Sequence, residues 1–377
     1  MGFGVAGAVL TRYHFSTFDF GTHPPLPLEY PATMPADLHH KPTSSYLLTS
    51  LMDVCMIAIF NTGVEDRNFY YLSGIEEPCK GVVVSGRKPV VLASPLESGI
   101  AERYARTLVY RSRSEFWKLF GELVGDSVVG VNFRRLTVKT FNVLKKKGFR
   151  LGDASAWLSR KRAVKSREEI SKIRKACRIA SRSIEEFREL IRPGVKELEL
   201  KAELERIAVE KGAEGFAFET IVASGPRSAI PHATASGRRL RQGDAVVVDF
   251  GPTYRMYASD ITRSFSLGCS REFNETYEKV LEAQGVVVRK LEEGVSVREI
   301  REAAEKLVGK LAHSLGHGVG LDVHEAPSFT RGKLKRGMVL TVEPGIYKGF
   351  GVRVEDVFVV GGKLLTSAPK ELDFAVV

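Results

Sequence analysis

From Met52 onward, short apolar runs alternate with segments of helical period. Val82-Val83-Val84 and Val90-Val91-Leu92 flank a Ser85-Gly86 turn, which predicts a hairpin. The spacing predicts a helix over 96–106, a strand over 127–133 and a helix over 137–147 closed by Gly148. Ser166-Arg167-Glu168-Glu169 has the form of a capping box. The helix it opens puts Ile170, Ile173, Ala176, Cys177, Ala180, Ile184 and Phe187 on one face and stops at Pro193-Gly194. A second helix follows over 197–211. Beyond Gly212 strands dominate, 245–250 and 261–267 being the clearest, and helices over 271–293 and 296–311 precede the last strands. No internal repeat is evident in the residues, although two blocks of a helix pair followed by strands suit a duplicated architecture. The pattern predicts an α+β chain with a smaller α/β domain at 52–158 and a second domain at 159–377.

Residues 1–51 differ from the rest. Pro24, Pro25, Pro27, Pro31, Pro35 and Pro42 break every candidate helix. The apolar run at 2–10 lacks the basic flank of a signal peptide, and Ala6 stands where a myristoylation signal wants Ser or Thr. The expectation is a Pro-rich leader that is disordered or not part of the native fold, with folding beginning near Met52.

Composition narrows the class. At 377 residues, 44% hydrophobic and 27% charged, the chain is globular, and no apolar run approaches the roughly 18 residues that span a bilayer. Cys55, Cys79, Cys177 and Cys269 form no CxxC pair, which excludes a zinc ribbon and a disulfide framework and points to free thiols in a reducing cytoplasm. The formal charge is +11, but residues 103–178 alone carry 21 Lys and Arg against 6 acids. Its basic residues alternate with apolar ones at helical spacing, and no aromatic platform is interleaved. Solvated helix faces are therefore favoured over nucleic-acid binding. The eight histidines fall in two groups, four within 1–51 and four between His232 and His324.

Acids stand where strands should be apolar. Asp249 ends the run Val246-Val247-Val248, and Asp260 opens Ile261-Thr262-Arg263-Ser264-Phe265 eleven residues later. Paired as a hairpin, the two strands bring both carboxylates together, where repulsion demands either a proton or a cation. His313, His317 and His324 lie within twelve residues among glycines, which permit close backbone approach around the His317 imidazole. Glu343 and Glu355 sit in or at the ends of apolar strands. Four carboxylates and one imidazole exceed what one cation needs, and the mix suits Mn, Co or Zn better than Mg. The reading is a site for two divalent metal ions about 3.5–4 Å apart.

Asp-x10-Asp, Gly316-His317-Gly318-Val319-Gly320-x3-His324-Glu325, Glu343-Pro344-Gly345 and Arg353-x-Glu355-Asp356 resemble, in order, the ligand pattern of the pita-bread metallopeptidases. That family comprises methionine aminopeptidase, aminopeptidase P and prolidase. The match covers about 160–377, and 52–158 resembles the creatinase-like N-terminal domain of the Xaa-Pro peptidases. The resemblance implies that Asp249 binds one metal, His317 and Glu343 the other, and that Asp260 and Glu355 bridge both. It further implies that His232 and His324 contact substrate and stabilise the tetrahedral intermediate, with Glu343 as the proton shuttle. His313 is expected to stand behind the ligands, and Arg353 to hold a bridging carboxylate or the substrate. The implied reaction is hydrolysis of the bond preceding proline near a free N-terminus, in small peptides with proline at the second position. Prolidase is favoured, aminopeptidase P is the alternative, and a non-catalytic peptide or nucleic-acid binding module is disfavoured because all five ligands are present. Methionine aminopeptidase is disfavoured because it normally lacks a domain like 52–158. A cytoplasmic homodimer without membrane contact is expected.

Overall fold

Six short strands, β1 (Met56–Asn61), β2 (Gly81–Ser85), β3 (Pro89–Ala93), β4 (Arg106–Val109), β5 (Val129–Val131) and β6 (Leu151–Asp153), form the first sheet, in the order β4-β3-β2-β1-β5-β6. The computed structural model describes residues 56–377 except Arg87, Cys269 and Gly362, and the expectations for 1–51 lie outside them. β2 and β3 pair antiparallel, Val82 opposite Leu92 and Val84 opposite Val90, as the hairpin pattern requires. Alternation along β1 sends Ile57 and Ile59 to one face with Phe69 and Leu158, and Ala58 to the other with Phe120 and Leu144. The helix expected over 96–106 is shorter, Pro95–Ala101, because Arg106–Val109 pairs in parallel with Val90–Ala93 as a strand. The helix Ser155–Ala163 follows β6.

The helix Arg167–Phe187 starts where the capping box places it. Ser166 Oγ accepts from Glu169 N at 3.2 Å, and Glu169 Oε2 accepts from Ser166 N at 2.8 Å. It pairs with the helix Glu197–Glu210, as Arg271–Val288 pairs with Val297–Val308. The two pairs are tied to the following chain in the same way. Gly194 N donates to Leu240 O and Leu240 N to Val195 O, while Gly294 N donates to Leu334 O and Leu334 N to Val295 O. The backbone bonding is alike in the two blocks, and Gly194-Val195 recurs at the same place as Gly294-Val295, a likeness too short to read as a repeat along the chain.

The strands that carry the site follow these helices. They are β7 (Gly215–Phe216), β8 (Ile221–Ser224), β9 (Ala245–Phe250), β10 (Pro252–Tyr254), β11 (Tyr257–Ala258), β12 (Ile261–Ser266), β13 (His317–Gly318), β14 (Glu325–Ser328), β15 (Val339–Val342), β16 (Gly345–Lys348), β17 (Phe350–Arg353) and β18 (Asp356–Val359). The first helix pair packs Phe187 and Leu204 against Val248 and Phe265, and the second packs Val287 and Ile300 against Leu340 and Phe358. Each such side chain contributes about 1.5–3 kcal/mol by burial, so the strand ends between the two cores are held rigidly. Among the described residues, no helix is long and apolar enough to cross a membrane.

One close approach invites a test. A Cβ added at Gly351 would lie 1.9 Å from the Ser228 carbonyl oxygen, and Ser228 Oγ accepts from Gly351 N at 2.9 Å. Gly351→Ala is expected to cost about 1–3 kcal/mol, read as a lowered Tm; an unchanged Tm would show that the two segments can part freely.

Candidate metal centre

Strand pairing assembles the site. β9 runs between β8 and β12, with Asp249 opposite Ile221 on one side and Thr262 on the other. Residues directly opposite project to the same face, as do residues two apart. Asp260, two positions before Thr262, therefore shares a face with Asp249. On the far side of β12, Thr262 bridges to Glu355, whose N donates to Thr262 O at 3.1 Å. Thr262 Oγ donates to Glu355 Oε2 at 2.7 Å and accepts from Arg353 Nε at 3.0 Å.

The adjacent acids Glu355 and Asp356 show what alternation decides. Asp356 points into a core where Arg263 lies at 2.8 Å and Lys370 at 2.7 Å. Burial raises its pKa, yet those two cations hold it below the ordinary carboxylate range. Glu355 points into the site, where burial and the charges of Glu343 and Asp249 push its pKa well up.

The third contributor is the glycine-flanked segment. A Cβ at Gly316 would lie 2.2 Å from Thr341 O, and one at Gly318 would lie 2.3 Å from Ala326 O. Only glycine lets this segment sit between β14 and β15. His317 N donates to Thr341 Oγ at 3.0 Å, and His317 Nδ1 faces Gly318 O at 3.3 Å. Its Nε2 is thereby aimed at Asp260 Oδ2 and Glu343 Oε1, each 3.4 Å away. Burial and the neighbouring His324 push the His317 pKa down to about 3, which leaves a neutral ring with a free lone pair. His324 stacks edge-on against it with ring centroids 4.1 Å apart.

Asp249, Asp260, His232, His313, His317, His324, Glu343, Arg353 and Glu355 all line one cavity of about 450 Å³, together with Phe218 and Ile221. His313 has its Nδ1 2.8 Å from Ser314 O and 3.5 Å from Glu343 Oε2, and its Nε2 2.8 Å from Tyr347 Oη. Arg353 is 2% exposed, and its guanidinium donates to Asp249 Oδ2 at 2.6 Å, Tyr347 Oη at 2.9 Å, Pro231 O at 3.1 Å and Thr262 Oγ. Four of its five N–H groups are engaged in this way, so its first role is to hold a carboxylate, one of the two roles expected of it, and not to meet substrate. It holds Asp249, and it reaches Glu355 only through Thr262.

Arg353→Ala would leave Asp249 buried beside no cationic side chain, at an expected cost of about 3–5 kcal/mol in thermal unfolding of the metal-free protein. Arg353→Lys should recover only part of this, because one ammonium cannot make four diverging bonds. Equal stability of the two variants would contradict that role. Sequence reading missed Thr262, Thr341 and Tyr347; the two threonines lie two positions from Asp260 and Glu343, so strand alternation is the signal that could have found them.

The cavity's electrostatics are those of a site built around cations. Burial raises the pKa of Asp249 despite Arg353, burial and three neighbouring carboxylates raise that of Asp260 well above its ordinary value, and burial pushes Glu343 up to about 8. Asp249 Oδ1 and Asp260 Oδ1 are buried without a hydrogen-bond partner. Asp260, His317 and Glu355 each offer an atom within 4.8 Å of the others. Orphaned acceptors, mutual repulsion and a neutral imidazole fit divalent metal.

Comparison with known proteins agrees with this geometry. Residues 171–361 match the metallopeptidase family M24, and residues 47–164 match the creatinase/prolidase N-terminal domain. The chain is 38% identical over 330 residues to an Xaa-Pro dipeptidase of Pyrococcus horikoshii, covering 82% of this chain and 92% of the relative. It is 36% identical to the Pyrococcus furiosus Xaa-Pro dipeptidase, covering 81% and 92%. Among solved structures, an X-Pro aminopeptidase from Thermotoga maritima superposes with a TM-score of 0.79 at 32% identity, covering 86% and 96%. Prolidase from Pyrococcus furiosus superposes with a TM-score of 0.77 at 33% identity, covering 84% and 97%.

Proposed function

Because this chain belongs to metallopeptidase family M24, we propose that it hydrolyses the bond preceding proline in Xaa-Pro dipeptides, with 52–158 as its N-terminal domain and 159–377 as its catalytic domain. The gathering of nine chemically apt side chains around one cavity, where buried carboxylates outnumber cations, carries this reading. Asp249 would hold one divalent ion, His317 and Glu343 the other, and Asp260 and Glu355 both; four carboxylates with one imidazole favour Mn, Co or Zn. Bound there, the metals supply Lewis-acid polarisation of the scissile carbonyl and a lowered pKa for water.

The chain's own groups do the rest. Glu343 takes the proton of the attacking water at its carboxylate and delivers it to the proline nitrogen as the bond from that nitrogen to the carbonyl carbon breaks. His232 and His324, lining the same cavity, donate hydrogen bonds to the substrate oxygen as negative charge develops on it. Arg353 and Thr262 hold Asp249 and Glu355 in place. Phe218 and Ile221 give the cavity an apolar wall.

The Xaa-Pro dipeptidases that resemble this chain favour the dipeptide reading, while the fit to the Thermotoga maritima aminopeptidase keeps longer substrates as the second reading. Metal-stripped protein reloaded with Mn or Co and offered Xaa-Pro and Xaa-Pro-Yaa separates them. Cleavage mainly of the dipeptide is expected, preference for the tripeptide would establish the aminopeptidase, and no cleavage of either would remove the Xaa-Pro reading. The buried, unpaired thiols of Cys79 and Cys177 support a cytoplasmic setting. The homodimer rests on the family resemblance, and a monomeric mass by light scattering would remove it.

A further inference from the structure

Glu325 follows His324 directly, and its side chain is only 9% exposed. It accepts from Arg162 Nη2 and from Asp322 N at 3.3 Å, and it pairs with Lys165 Nζ at 2.8 Å. A Cβ on Gly320 would collide with this carboxylate, so the glycine lets it seat against the backbone. Burial pushes the Glu325 pKa up, but Lys165 and Arg162 hold it below the ordinary carboxylate range. Arg162 also donates to Asp322 Oδ2 at 2.7 Å and to Asn68 Oδ1 at 3.3 Å, and the Lys165 side chain is wholly buried. Asn68 and Arg162 belong to the stretch that matches the creatinase/prolidase N-terminal domain, and Glu325 to the stretch that matches family M24. Charges from the junction of the two stretches thus close on the residue next to a site histidine.

His324 has no such anchor of its own. It is exposed, its ring meets His317 edge-on, and it makes no side-chain hydrogen bond among the described residues. Glu325 opens β14, which stands at the edge of its sheet with Gly318 opposite Glu325. Adjacent residues share one rigid peptide unit, so anchoring Glu325 restricts the backbone that aims His324. Buried ion pairs add little net stability over apolar side chains of similar volume. What the charges add here is direction, because a planar guanidinium binds a carboxylate at fixed angles.

We propose that Glu325, clamped by Arg162 and Lys165, is a positioning residue for His324, holding its imidazole where negative charge develops on the substrate oxygen. This rests on the Xaa-Pro reading above and on the part it gives His324. The junction between the two stretches then acts on the reaction without touching substrate.

The test measures Xaa-Pro hydrolysis by Mn-loaded protein in two backgrounds, wild type and His324→Ala, with enzyme concentration raised to keep the slower variants in range. Glu325→Gln removes the anchoring charge. Lys165→Met/Glu325→Gln removes it together with one cation and leaves Arg162 paired with Asp322, so the test stands even if the first variant unfolds. In wild type each should lower kcat about 10- to 100-fold with KM little changed. In the His324→Ala background each should change kcat little, because the group it positions is already gone. Equal losses in both backgrounds would reveal a clamp that is structural only and overturn the proposal, as would full kcat in the charge-balanced variant. Full kcat in His324→Ala alone would also overturn it while leaving the peptidase standing. Failure of wild type to cleave would remove the Xaa-Pro reading, and this role with it.

Discussion

Asp260→Asn is expected to abolish peptidase activity and, in the metal-free protein, to raise stability. The first effect follows from position: Asp260 is the carboxylate facing His317 at 3.4 Å, it shares a metal-sized cluster with Glu355, and one of its oxygens has no other partner. An amide cannot supply that anionic ligand, and several kcal/mol of lost transition-state stabilisation corresponds to a fall in kcat/KM of about 10³-fold or more. The second effect follows from charge. Burial comes first among the causes that raise the Asp260 pKa, and the carboxylates of Glu355, Asp249 and Glu343 come next. An isosteric amide removes one of four crowded acids without opening a cavity, and with it the cost of either charging or protonating that acid in the fold, which should stabilise the metal-free fold by about 1–3 kcal/mol near pH 8. Activity and metal titration measure the first effect, and thermal unfolding in a chelator the second. Full activity would place the chemistry elsewhere, and a lower Tm for the metal-free variant would mean that Asp260 has a structural partner.

Much of this site is legible along the chain because its acids break a local rule. Asp249 and Asp260 interrupt apolar strands, and period-two alternation across a hairpin is enough to bring them face to face. The capping box at Ser166 and the valine hairpin are equally local, and both form as their residues imply. What the pattern hides is non-local. The bridge from Thr262 to Glu355 joins residues 93 apart, and nothing near either predicts it. Arg353 reads as a holder of a bridging carboxylate or of the substrate, and only the fold supplies Asp249, Tyr347 and Pro231 as its partners. The turn at Arg255-Met256 holds both residues at positive φ, 47° and 67°, without a glycine to announce it. A two-residue hairpin link demands this backbone, and tertiary contact overrides the residues' own preference. The helix expected over 96–106 ends early for the same reason: a strand partner outweighs helical spacing in a short segment.

Stripping the metals should cost more stability as the pH rises. A carboxyl held protonated in the fold but ionised in the unfolded chain means that the folded state binds more protons, so stability falls with pH between the ordinary carboxylate range and the folded pKa. For Glu343, raised from 4.5 to about 8 chiefly by burial, that window spans neutrality. At pH 8 this residue alone accounts for about 4 kcal/mol of lost stability in the metal-free protein, and Asp249, Asp260 and Glu355 are raised in the same direction. The histidines oppose this at lower pH. His317, lowered to about 3, and His313, lowered to about 4, are neutral in the fold but protonated in the unfolded chain below about pH 6.5, so there they make stability rise with pH. The carboxylates therefore act alone between pH 6.5 and 8. Over that interval the Tm of chelator-treated protein should fall, by an amount equivalent to roughly 2 kcal/mol from Glu343, while protein saturated with Mn should hold, because the cations bind the ionised carboxylates of the folded state and not the unfolded chain. Parallel Tm curves for the two forms would mean that the buried carboxylates are neutralised by something other than metal.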